Sequence, residues 1–285
     1  MTSGQIPTLL WRDWQFAPGP DTLALIVMAL YLTGMRRVRG WSVWRAAAFA
    51  AGVGCALVAV QSGIDAYDDV LLSDHMVQHL LLLELAPLLL LAGRPLTLGL
   101  RAAAPARRPA LARRVRGLHR LLHPFTCLAI LWVIVAGTHL PAFYDATLRH
   151  PLLHDAEHGL FVTAGLLMWW PVLDEDPVES HRLNGVLRIA YMSLAMLPMT
   201  VLGAYLDRDA TLLYAPYAAP ARALGISAVV DQQQAGAIMW VLGSSLMVVC
   251  GIWQAMTAMI AEERRLQGRE RRADALLAHK RMGEP

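Results

Sequence analysis

The sequence predicts an all-α fold: a polytopic helical bundle of seven transmembrane segments, with the N-terminus outside and the C-terminus in the cytoplasm. Three observations carry this prediction, namely long apolar runs, scarce charge, and basic residues confined to alternate loops. The 285 residues are 56% hydrophobic and only 16% charged, against roughly 25% charged in a soluble domain. Mean hydropathy is +0.42. A hydrocarbon layer about 30 Å thick takes roughly 20 apolar residues per helix. Runs near that length lie at 22–37, 43–62, 75–93, 122–140, 152–173, 184–206 and 232–260. Period-2 alternation is missing, which argues against a membrane β-barrel.

Short cytoplasmic loops carry the excess of Arg and Lys. The first candidate loop holds Arg36, Arg37, Arg39 and Arg45, and the loop after the third run holds eight arginines from Arg94 to Arg120. The end of the chain carries Arg264, Arg265, Arg269, Arg271, Arg272, Lys280 and Arg281. The alternate segments are nearly bare: Arg12, none in 63–74, Arg149, then Arg208 and Arg222. The acidic loop 174–183, with Arg182, is the least informative. The pattern divides the chain into a transmembrane domain at 1–261 and a charged cytoplasmic tail at 262–285. Leu111, Val115, Leu118 and Leu122 recur at helical spacing among arginines. This suits a helix on an anionic lipid surface, and its place between two spans favours membrane lipid over nucleic acid. Cys55, Cys127 and Cys250 fall in apolar runs without a CxxC pair and read as buried thiols.

Histidine placement is the strongest chemical signal. Of ten histidines, His119, His123, His181 and His279 fall on the predicted inner side. His75, His79, His139, His150, His154 and His158 fall at outer span ends or in outer loops. His75/His79 and His154/His158 are each four apart, so each pair shares one helix face. Neutral imidazole is the commonest ligand for late transition metals. Asp155 and Glu157 flank the second pair, where a carboxylate can orient a ring through its other nitrogen. Met192, Met196 and Met199 recur at helical spacing in the sixth run, and Met239 lies in the seventh. Met199 and Met239 reach about 10 Å below the outer surface at 1.5 Å rise per residue. Thioether sulfur mixed with imidazole favours Cu(I). A methionine stripe also serves as core filler, so these two are secondary candidates.

Glu84 is a carboxyl midway along the third span, where ionisable groups are costly and often functional. Ideal α-helical geometry turns it about 140° from His79, outside the same ligand set. Asp231 reads as an N-cap for the seventh span, with Gln232, Gly236 and Met239 on one face. Trp41, Trp44, Trp169 and Trp170 fit interfacial aromatic belts. No phosphate-binding glycine loop, GxSxG elbow or paired acidic cleft appears, so a non-enzymatic role is expected.

Three segments, HMVQHLLL at 75–82, HDAEHGLF at 154–161 and DQQQAGAIMW at 231–240, give the chain its family resemblance. In that order, and across roughly residues 20–260, it resembles the multi-span, Bacillus-type CtaG family of cytochrome c oxidase assembly factors. The resemblance implies a bacterial cytoplasmic-membrane protein that helps build heme–copper oxidase by delivering copper to it. It places His75 and His79 in the first histidine motif, His154 and His158 in the second, and Asp231 and Gln232 in the third. The expected metal ligands are these four histidines with His139, Met199 and Met239, supported by Asp155, Asp231 and Gln232. Expected partners are oxidase subunits, membrane lipid and a copper donor from the outer compartment. Two other readings stand beside this one: a b-type heme cytochrome and a copper transporter.

Overall fold

The computed structural model describes residues 13–173 and 183–282, and all regular structure among them is helical. A helix occupies each of the seven apolar ranges. These are α1 (Pro18–Arg37), α2 (Val43–Gln61), and α3 (Leu72–Leu80), which continues through a π-helical turn at Leu81–Leu85 into α4 (Ala86–Ala92). Then come α5 (Pro124–Thr138), the short α6 (Pro141–Thr147), α7 (Pro151–Leu173) and α8 (Gly185–Arg208). Last is α9 (Ala228–Ala237), which runs through a second π-helical turn at Ile238–Leu242 into α10 (Gly243–Met282). Arg12, His181 and almost all of the acidic loop 174–183 lie outside the described residues.

Four stretches are long and apolar enough to cross a bilayer: Val43–Ala66, Leu72–Ala102, Gly185–Arg208 and Ala228–Arg271. A fifth arises if α5 and α6, bent by 76°, form one span. The predicted count of seven exceeds what length and apolarity carry. The shortfall has a visible cause in α7, whose opening turns hold His154, Asp155, Glu157 and His158 rather than apolar residues, and in α1, which carries Asp21, Arg36 and Arg37.

The helices start where local chemistry allows. Proline stands in the first turn of α5 and α6, where no backbone N–H is needed. Asn184 caps α8 by accepting from Leu187 N at 2.9 Å. In a membrane, association rests on close packing and interhelical hydrogen bonds rather than expulsion of water, and the glycines show this. A Cβ on Gly203 would meet Gly236 O at 2.8 Å and Trp240 N at 2.9 Å, so α8 and α9 cross backbone against backbone. Thr200 and Ser244 join α8 to α10 by a hydroxyl pair at 3.0 Å. The helix Arg108–Gly117 forms in the basic loop and buries Val115, while Leu118 is exposed.

The aromatic-belt expectation needs correction. Trp169 is 0% exposed, and its indole N–H donates to Glu84 O at 2.9 Å, so it is a core residue that ties α7 to the π-turn. Trp41 is buried and donates to Tyr31 Oη at 3.0 Å. Only Trp44, 85% exposed, has the exposure a belt residue requires.

Candidate metal centre

The centre is built from one end of the bundle, where the start of α3, the end of α5, α6, the start of α7 and the loops at 63–71 and 209–227 meet. Asp231 anchors it. Its carboxylate accepts from Leu72 N at 2.7 Å, from Ser73 N at 3.4 Å and from the Ser73 hydroxyl. These are free N–H groups in the first turn of α3. Asp231 therefore caps α3, not its own helix, which corrects the sequence expectation of an N-cap for the seventh span. α9 begins at Ala228 behind Ser227, which places Asp231 inside its first turn. Gln232 accepts from Leu213 N and donates to Thr211 O, both at 2.8 Å, and so holds the loop that leads to Tyr214 and Tyr217.

With α3 pinned, His75 and His79 point into the bundle and are buried, His75 at 0% exposure. Their Nε2 atoms face each other at 2.8 Å. The tautomer of His75 follows from its neighbours. Its Nδ1 lies 3.3 Å from Asp68 O and 3.1 Å from Tyr217 Oη, while the Tyr217 hydroxyl donates to Asp68 O at 2.7 Å. Nδ1 therefore carries the hydrogen, and Nε2 keeps its lone pair for a ligand. This is how partners of a metal-binding histidine fix its tautomer. Burial pushes the Tyr217 phenol well above its ordinary pKa, which keeps it a donor. Tyr144 bonds Tyr217 at 3.0 Å. His139 repeats the pattern: Nδ1–H donates to Val135 O at 2.8 Å, Tyr214 Oη donates to His139 O at 2.9 Å, and the buried Nε2 has no hydrogen-bond partner among the described residues.

The second pair comes from α7. His154 and His158 rings lie 4.2 Å apart, and the His154 ring lies 5.1 Å from that of His75. Two carboxylates complete the cluster, and sequence reasoning did not place either as a ligand. Asp68, through a carboxylate oxygen, forms one group with ring nitrogens of His154 and His158; His75, His79 and Glu157 form the other. Within each group one ligand atom per residue lies within 4.8 Å of the rest. Glu157 is 0% exposed, and neither of its oxygens has a partner among the described residues. Burial, then the negative charges of Asp65 and Asp69, pushes the Asp68 carboxyl up to about 8. The neighbouring Asp155, expected to support the second pair, is exposed; Glu157 is the carboxylate that turns inward. The sequence did hold a signal for Asp68, since 65–74 places four acids before His75 with no basic residue among them. Tyr144 and Tyr217 had no such signal.

Below the imidazoles is a cavity of about 10 Å³ whose walls include His79, His139, Met76, Met199, Met239 and Phe161. Met199 and Met239 thus share a wall with two of the histidines. Glu84, expected outside the ligand set of His79, belongs to neither three-residue group and sits in the π-turn closed by Ala86 N–H to Leu81 O. A methyl on Gly243 would touch Glu84 Oε1 at 2.9 Å and both Leu80 Cδ2 and Met199 Cε at 3.1 Å, so Glu84 lies against the cavity wall. Its Oε1 has no hydrogen-bond partner among the described residues. His150 is exposed and belongs to neither three-residue group.

The donor set suits a late first-row metal: imidazole nitrogens with carboxylates above, and thioethers below. Comparison with known proteins supplies the family. Residues 29–260 match the family described as cytochrome c oxidase caa3 assembly factor (Caa3_CtaG). An uncharacterized protein of Mycobacterium bovis and one of Mycobacterium tuberculosis are each 27% identical over 288 residues, covering 93% of this chain and 42% of the relative. An uncharacterized Mycobacterium leprae protein is 27% identical over 290 residues with the same coverage. The chain thus spans about two fifths of the length of these curated relatives. No solved structure matches it.

Proposed function

The chain belongs to the cytochrome c oxidase caa3 assembly factor family, and from that premise we propose that it is a non-enzymatic copper-handling factor of the bacterial cytoplasmic membrane. It binds copper at the outer membrane face and passes it to a heme–copper oxidase subunit through contact within the bilayer. In this reading all seven helices span, the N-terminus lies outside, and the basic loops and charged tail face the cytoplasm and its lipids.

One observation carries the proposal: His75, His79, His139, His154 and His158, from three separate helices, converge at one end of the bundle, and all but His75 keep a buried ring nitrogen free of hydrogen bonds among the described residues. A buried polar atom without a partner costs about 1–3 kcal/mol. Several such atoms pointing to a common region are what a metal would satisfy. Copper is favoured, as Cu(I), because Met199 and Met239 wall the space beside His79 and His139 and thioethers select the soft ion. Copper is cargo here, supplied by a donor in the outer compartment. Heme fits poorly, because the space walled by His79 and His139 is about 10 Å³, far less than a porphyrin fills.

The test is copper content of the purified chain. Wild-type protein is expected to retain Cu(I) against a competing chelator, and His79→Ala with His158→Ala to lose it. Unchanged copper in the double variant would defeat the proposal. Transport is a second reading, favoured by the π-helical turns that interrupt two helices beside the cavity, since broken helices often mark transport sites. Copper uptake into proteoliposomes would select it.

A further inference from the structure

We infer that the histidine cluster is a two-ion centre, in which Asp68, His154 and His158 hold one divalent first-row cation and His75, His79 and Glu157 hold another. This deepens the metal-binding reading above and rests on it, but adds a count, a ligand partition and a charge class that the reading does not contain.

The partition follows from geometry. Each HxxxH pair has its own buried carboxylate, and the two sets share no residue. Within the outer set, His154 Nε2 and Asp68 Oδ2 lie 3.6 Å apart. That is too long for a hydrogen bond, and His154 Nε2 has no partner among the described residues. It is close to the roughly 3.4 Å edge of a tetrahedron with 2.1 Å metal–ligand bonds. In the inner set, the Asp68 carbonyl and the Tyr217 hydroxyl commit Nδ1 of His75 as the donor and leave Nε2 to bind. Glu157 has both oxygens buried and outside hydrogen-bond geometry among the described residues, with the Thr147 hydroxyl as a polar neighbour.

Charge supports the count. Burying an ionic group is tolerable only when it is paired, and each divalent ion here would meet one carboxylate. Two ions would give each buried acid a cation to ligate as a carboxylate, whereas a single ion held by all four imidazoles would leave at least one acid out of the coordination. The rings of His75 and His154 are 5.1 Å apart, which places the two stations side by side in one pocket, as in two-metal sites whose ions sit about 3.5–4 Å apart. Imidazole with carboxylate suits divalent ions, whereas the thioether-walled cavity beneath suits a monovalent one, so the two chemistries are layered along the bundle.

The experiment uses the full chain in detergent micelles, titrated with Co(II) and then with Cu(II). Bound metal is counted by elemental analysis after gel filtration. Wild-type protein is expected to saturate at two equivalents per chain. Asp68→Asn with His158→Gln, and Glu157→Gln with His79→Gln, are each expected to retain one. The Cu(II) paramagnetic resonance signal of the wild type should show two interacting spins. Saturation at one equivalent, with an isolated-ion signal, would overturn the two-ion centre and leave single-site metal binding intact. Absence of Co(II) and Cu(II) binding by the wild type would also overturn the two-ion centre, whereas the Cu(I) reading stands or falls on the chelator competition above. The spin measurement decides even if a variant misfolds, because it needs none.

Discussion

The two HxxxH pairs share a sequence pattern but not an environment. His75 and His79 sit on a helix whose first turn is capped by Asp231, with one ring oriented by Tyr217 and the Asp68 carbonyl. His154 and His158 open a helix that starts at Pro151, and the His154 side chain is 17% exposed. No hydrogen bond fixes Nε2 of either ring among the described residues. The first pair is held by these partners. The second lacks them, and its His154 is partly exposed while His158 is buried. Spacing four apart therefore says which rings can cooperate, and the surroundings decide how firmly they hold.

The sharpest way to break this comparison is to remove each pair in turn. His75→Ala with His79→Ala is expected to weaken copper binding by more than about 100-fold, above the 10–100-fold associated with loss of outer-shell partners alone. His154→Ala with His158→Ala should weaken it less, while slowing uptake. Chelator competition and stopped-flow binding on the two variants would measure both quantities. Equal losses in affinity and rate would erase the distinction drawn here.

Next in size is Asp231. Hydrogen bonds to a charged group contribute about 1.5–3 kcal/mol, and Asp231 accepts two backbone bonds and a hydroxyl. Asp231→Ala should lower the melting temperature and weaken copper binding at the first pair, because α3 would lose its fixed start. Asp231→Asn should do so less, since an amide oxygen still accepts. A variant with unchanged melting and copper affinity would show that the cap does not position the histidines.

Much of this was legible in the sequence and some was not, for identifiable reasons. The helix-period apolar runs marked every long helix, and i,i+4 spacing marked both histidine pairs, because these signals are local. The Met199–Met239 neighbourhood was legible as depth in two spans, since rise per residue is fixed. Glu84 was kept out of the histidine ligand set, as the structure has it, but the π-turn that carries it is a feature no α-helical wheel contains. Asp231 was assigned to its own helix because capping patterns are read along the chain, whereas here the acceptor reaches across to Leu72. Tyr217 was invisible because it lies in a non-periodic connection whose path is set by Gln232 and other long-range contacts, and Tyr144 because α6 is too short to show a helical period. Asp68 and Glu157 each stood beside other acids, and composition does not say which acid turns inward.

A smaller effect is expected at Tyr217. Tyr217→Phe keeps the ring and its packing but removes the hydroxyl that bonds Asp68 O, His75 Nδ1 and Tyr144. One hydrogen bond to the Asp68 carbonyl remains for His75, so the tautomer survives with weaker restraint. Copper affinity should fall about 10-fold, the low end for an outer-shell partner, with melting changed by no more than a few degrees. A larger loss of melting than of affinity would assign Tyr217 to packing alone.

The smallest expected effect is the most discriminating for the α7 pair. Asp155 and Glu157 stand two residues apart on the same helix and differ in direction: Asp155 is exposed and Glu157 fully buried beside the imidazoles. Asp155 acts only through its charge, near the surface, where such interactions are weak and screened by salt. Asp155→Asn should change copper affinity by less than about 2-fold, and that change should vanish at high salt. Glu157→Gln should lower affinity in a salt-independent way, because a buried ligand is exchanged for a neutral one. If Asp155→Asn proved the more damaging, the inward acid would have been misidentified, and the ligand assignment for His75 and His79 would have to be rebuilt around the other carboxylate.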